Sequence, residues 1–160
     1  MKKTSKRNIS FKIAGLFFAV SLAFEIVNIA HETVIFGTTL SGVAALLGHL
    51  AYALLFGWIG YGLWFGTIWG AFAVYIGTAA YSMDKLTYIM NRQSIETTMV
   101  NDLSYYNLAL QPAEIETLVS LTILTVLIMV ISWWGFAIYT YAQRAYFLSG
   151  HDMADTGETR

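Results

Sequence analysis

The chain has 160 residues, of which 57% are hydrophobic, 16% aromatic and only 12% charged. Soluble domains carry roughly 25% charged residues, so a water-soluble fold of this size has too little polar surface to cover so much apolar mass. The net charge of -1 argues against a nucleic-acid partner, and the absence of cysteine excludes disulfides, thiolate metal sites, iron–sulfur ligation and covalent c-type haem.

Residues 1–12 hold Lys2, Lys3, Lys6, Arg7 and Lys12, five of the nine basic residues. An apolar run follows from Ile13 to Ala30. A basic start before an apolar run also describes a secretory signal, and Ser21-Leu22-Ala23 suits a cleavage site. The run is long for a signal core, so we expect a retained helix over about 13–32.

From Thr33 to Met83 there is no Asp, Glu, Lys or Arg. One crossing needs about 20 residues, so this stretch suits two, near 38–57 and 62–83. The glycine-rich Gly57-Trp58-Ile59-Gly60-Tyr61-Gly62 is the expected turn.

Residues 84–112 bring Asp84, Lys85, Arg92, Glu96 and Asp102. Leu86, Ile89, Met90, Met99, Leu103, Tyr106 and Leu110 recur at helical spacing. The segment reads either as an amphipathic helix on the membrane or a partner, or as a solvated loop. Pro112 then opens a last crossing over about 113–141, with Glu114 and Glu116 at its positive end. Trp133, Trp134, Tyr139 and Tyr141 suit an interfacial belt. Residues 149–160 form a polar tail.

The expected fold is all-α: a polytopic integral membrane protein with four transmembrane helices and an amphipathic exterior segment, 84–112, between the third and fourth. Four crossings place both termini on one side, with seven Lys and Arg against two in the 84–112 segment. The positive-inside rule puts both termini in the cytoplasm of a bacterial inner membrane.

Three features carry possible chemistry. Glu25, Asn28 and Glu32 share one face of the expected first helix, with His31 adjacent. A carboxylate inside an apolar helix faces protein or water rather than lipid. It serves either a proton or cation relay or helix–helix hydrogen bonding. No Glu-x-x-His occurs, so an autonomous di-metal site is not expected. His49 lies mid-helix beside Ala45 and Gly48, where an imidazole ligates haem or a chlorophyll-type pigment, or bonds to a neighbouring helix. His31 is the other candidate ligand. Gly62, Gly66, Gly70 and Gly77 recur along the expected third helix as a close-packing face. No nucleotide-loop, zinc-protease or serine-hydrolase motif is present.

Few polar membrane groups, a glycine face and an amphipathic exterior segment make contacts rather than chemistry. The expected function is a non-catalytic membrane subunit that packs into a larger respiratory, photosynthetic or secretion-type complex, with the lipid bilayer and other membrane subunits as partners. The alternatives are a haem- or pigment-binding subunit using His49 or His31, and a small transporter or channel using the Glu25/Asn28 face.

Overall fold

The computed structural model describes residues 9–105 and 111–148. It is mostly helical. The first helix, α1 (Ile9–Val27), is apolar almost throughout. It stops at Val27, five residues short of the expected boundary, because the chain enters a short β-hairpin. Strands β1 (Thr33–Ile35) and β2 (Thr38–Leu40) pair antiparallel, with Thr33 opposite Leu40 and Ile35 opposite Thr38. β-Branched Thr, Val and Ile favour this pleated conformation. Phe36 and Gly37 make the two-residue turn with φ of 51° and 69°. Two positive φ values match the right-handed twist of the flanking strands. A non-glycine residue adopts such a φ only when its surroundings hold it there.

Helix α2 (Gly42–Phe65) runs straight through the glycine cluster expected to be a turn. The chain reverses instead at Gly66, whose φ of 68° is left-handed and whose N–H donates to the Gly62 carbonyl. That is the usual way for a glycine to end a helix. Thr67 then caps helix α3 (Ile68–Met90), its Oγ1 accepting from the Gly70 N–H at 3.2 Å. The boundaries 38–57 and 62–83 are therefore corrected to 42–65 and 68–90. Residues 84–90, expected in the exterior segment, belong to α3. Helix α4 (Arg92–Tyr105) is separate, and Tyr106 and Leu110 lie outside the described residues. Helix α5 (Pro112–Ala142) agrees with the expected 113–141 to one residue at each end. Gln111 and Glu114 close a reciprocal capping box at its start. A turn leads to the short α6 (Ala145–Leu148). The tail 149–160 and residues 1–8 of the basic start lie outside the described residues.

Helices α1, α2, α3 and α5 pack side by side, each antiparallel to the one before. Gly15 meets Gly60 at one end of the α1–α2 pair, and Glu25 meets His49 at the other. Gly62 meets Gly70 at one end of the α2–α3 pair, and Tyr52 meets Asp84 at the other. Tyr146, beyond α5, lies against Gly66, whereas Arg92, beyond α3, reaches Glu116 at the start of α5. Phe11, Ile59, Leu63, Val74 and Phe147 form the main core, at the Gly66 end. A second cluster of Tyr81, Val126 and Val130 lies toward the hairpin end.

The four glycines do not form one stripe on one helix. Gly62 lies in α2, Gly66 in the turn, and Gly70 and Gly77 in α3. The close approach is between α2 and α3, where a Cβ on Gly62 or Gly70 would overlap the other's backbone. Gly77 faces Ile59 of α2 and Trp133 of α5.

Among the described residues, three helices, α1, α2 and α5, are long and apolar enough to cross a membrane. Their outward faces suit lipid contact, with Leu16, Phe17, Leu54, Trp58, Ile131 and Ile138 all exposed.

Candidate functional site

At the hairpin end, polar side chains from three helices converge beneath the strands. Glu25 comes from the last turn of α1, His49 and Tyr52 from α2, and Asp84 and Lys85 from α3. Positions 49 and 52 are three apart, so both side chains leave α2 on the same side. Gly48 leaves room for the hairpin to lie over them. A Cβ there would stand 2.5 Å from Ile35 Cδ1 and 3.3 Å from Thr33 Cγ2.

His49 is buried, with 6% of its surface exposed. Its Nδ1 lies 2.7 Å from Glu25 Oε2, and its Nε2 lies 3.3 Å from the His31 carbonyl oxygen. A carbonyl only accepts, so Nε2 carries a hydrogen in this arrangement. The contact between Nδ1 and Oε2 then shares one proton. The pair is either imidazolium and carboxylate or imidazole and carboxylic acid, and both forms satisfy the same two hydrogen bonds. The Glu25 side chain keeps 24% of its surface exposed, so this pair is reachable from outside.

Asp84 is the most enclosed charge of the group, with 1% exposure. Its Oδ1 accepts from the Phe36 N–H at 2.6 Å, and its Oδ2 accepts from the Tyr52 hydroxyl at 2.5 Å. The Lys85 ammonium stands 2.8 Å from Oδ2. A buried charge is tolerated only when paired and hydrogen-bonded, and Asp84 has one cation and two neutral donors. Lys85 also lies 5.7 Å from the Tyr81 ring centroid and 6.0 Å from that of Tyr52, within cation–π range. Tyr81 in turn stacks on Trp133 of α5 at 5.1 Å. Asn91, just past α3, donates to the Gly37 carbonyl at 3.2 Å. Both turn residues of the hairpin are thus held by α3, which accounts for the unusual φ of Phe36.

The polar face expected on the first helix is not assembled. Asn28 and Glu32 lie beyond the end of α1 and are exposed, and the Asn28 amide donates back to the Phe24 carbonyl at 2.9 Å. The His31 residue is also exposed, and its backbone carbonyl, not its imidazole, joins the site. Of the expected group only Glu25 contributes a side chain. Tyr52, Asp84 and Lys85 were not expected there. Tyr52 carried a usable signal, three residues from His49 on one face. Asp84 carried another, as an acid at the end of a stretch without charge.

In this arrangement Nε2 carries a hydrogen and Nδ1 faces Glu25, so His49 presents no free lone pair to a tetrapyrrole. Among the described residues, no three His, Asp or Glu side chains gather as metal ligands. Two apolar grooves lie elsewhere. One runs between α1 and α2 and the other between α1 and α5, and neither touches the network. No family model, curated protein or solved structure matches the chain.

Proposed function

We propose that the chain is a non-catalytic, four-crossing subunit of a larger membrane protein complex, holding a rigid exterior cap for a partner subunit. Directionality supports the fourth crossing. Helices α2 and α5 run in the same direction, so if both cross, the chain must return between them. Helix α3 is the segment that lies alongside both, and its 23 residues span about 34 Å, more than the roughly 30 Å hydrocarbon core. Both termini then lie on the basic, cytoplasmic side, with the hairpin and α4 outside.

The observation that carries the subunit reading is the closure of the polar network. His49 ties α2 to Glu25 of α1 and to the His31 carbonyl before the hairpin, while Asp84 ties α3 to Tyr52 of α2 and to the Phe36 N–H of the hairpin. Among the described residues, both carboxylate oxygens of Asp84 and both ring nitrogens of His49 are engaged within the chain. Such a network fixes one arrangement of helices and cap, as fully satisfied buried networks do. The test is purification of the tagged full chain from its native membrane in mild detergent, with mass and composition read together. A stoichiometric assembly well above the 17.8 kDa of the single chain is the expected result. A homogeneous particle of this chain alone overturns the reading.

A second reading, a small transporter or channel, is favoured by one feature: the proton shared between His49 and partly exposed Glu25. Glu25→Gln separates the two. A structural role predicts an intact assembly with lowered thermal stability and unchanged proton or cation leak in vesicles. A relay role predicts full stability with the flux lost.

A further inference from the structure

We propose that the groove between α1 and α2 binds an anionic phospholipid, with its acyl chain in the groove and its phosphate on Lys12. The groove has a volume of about 230 Å³ and is lined almost wholly by apolar atoms. Gly15 and Gly60, where the two helices touch, floor the groove with Gly57, the exposed Ala19 opens onto it, and Leu16 and Trp64 border it. From Gly15 to Leu22 it follows α1 for about 10 Å, and from Phe56 to Phe65 it follows α2 for about 13 Å. That length fits within one leaflet, half of a roughly 30 Å hydrocarbon core. An apolar trough of this length along a lipid-facing surface matches a single acyl chain.

Charge at one end selects the headgroup. Lys12 stands one helical turn before Gly15 and Leu16, so it extends the α1 wall of the groove. Its Nζ lies 5.3 Å from the ring centroid of Trp64, at the matching end of the α2 wall. Among the described residues no carboxylate pairs with Lys12. An ammonium without an anionic partner, beside an indole at the end of an apolar trough, complements a phosphodiester held at headgroup level. The end carrying Lys12 is also the basic end of the chain, where an anionic leaflet is favoured.

The test uses the full chain in mild detergent, titrated with equal amounts of dioleoyl phosphatidylglycerol and dioleoyl phosphatidylcholine, with bound lipid counted by native mass spectrometry. Phosphatidylglycerol adducts should exceed phosphatidylcholine adducts roughly five-fold, the factor contributed by one cation near the surface. Lys12→Gln should bring the two to parity while phosphatidylcholine adducts persist, and Lys12→Arg should keep the preference. Ala19→Phe, which fills the trough from an exposed position, should remove both adducts. Equal binding of the two lipids by the unsubstituted chain overturns the proposal. So does a preference that survives Lys12→Gln, which would assign it to the basic N-terminus, or full binding by Ala19→Phe.

Discussion

Asp84→Ala is expected to lower folding stability by about 3–5 kcal/mol, the range for removing one partner of a buried ion pair. The substitution takes away one acceptor and strands three donors. The Lys85 ammonium loses its counter-charge, the Tyr52 hydroxyl loses its partner, and the Phe36 N–H is left without an acceptor. The last loss has a local signature. Phe36 sits at φ 51°, a conformation that costs about 1–2 kcal/mol for an L-residue. Without Asp84 the hairpin turn should relax, and its amides should exchange with solvent sooner than those of the helices. Thermal unfolding in detergent measures the first effect and hydrogen exchange the second. A melting temperature unchanged from the parent would mean that the network does not hold the cap.

Gly70→Ala should destabilise by about 3 kcal/mol, the upper part of the usual range for overpacking. One methyl group suffices, because it would fall on the backbone of Gly62, which has no side chain to rotate away. The α2–α3 turn would have to open. Gly135→Ala is the matched control. It is an exposed glycine in α5 whose added Cβ meets nothing within 4 Å. Alanine there should stabilise by about 0.5–1 kcal/mol through helix propensity alone. Equal effects of opposite glycines would show that helix propensity, and not the close approach, governs both positions.

Hydropathy alone located α5 to one residue at each end and α1 to within five, because a long apolar run leaves few alternatives to a helix. It misplaced the boundary between α2 and α3. The glycines at 57, 60 and 62 read as a turn, whereas two of them are contact points, Gly60 for Gly15 and Gly62 for Gly70. In apolar helices glycine serves close approach as readily as reversal. The true reversal had its own signature, Gly66 followed by Thr67, a helix stop followed by a helix cap. The hairpin was hidden for a different reason. Thr33-Val34-Ile35 and Thr38-Thr39-Leu40 have strand character, but Phe-Gly is a poor turn by local preference. It works here because Asp84 and Asn91, some fifty residues away, bind its backbone. The candidate site was half visible. Glu25 and His49 stood out as isolated ionisable residues in apolar surroundings, but their pairing depends on helix packing. Asp84 reads as exterior because a charge usually ends a crossing, and its burial rests on Lys85 beside it and on the Phe36 N–H and Tyr52, which its own neighbourhood in the sequence does not announce as partners.

The bond between Glu25 and His49 joins two segments that leave the ribosome at different times. A carboxylate near the end of α1 is costly to place in lipid alone, by roughly 2.5–3.5 kcal/mol at a helix centre and less toward the interface. Its partner lies on the next helix, 24 residues later. The first helix therefore gains by waiting at the insertion machinery until the second arrives, so that the two enter the bilayer together as a pair. Helix α3 repeats the situation in its packing. Its Asp84 needs Tyr52 and the hairpin already in place. The order of synthesis and the order of assembly are thereby coupled, with each acid packing behind or beside the helix that shields it.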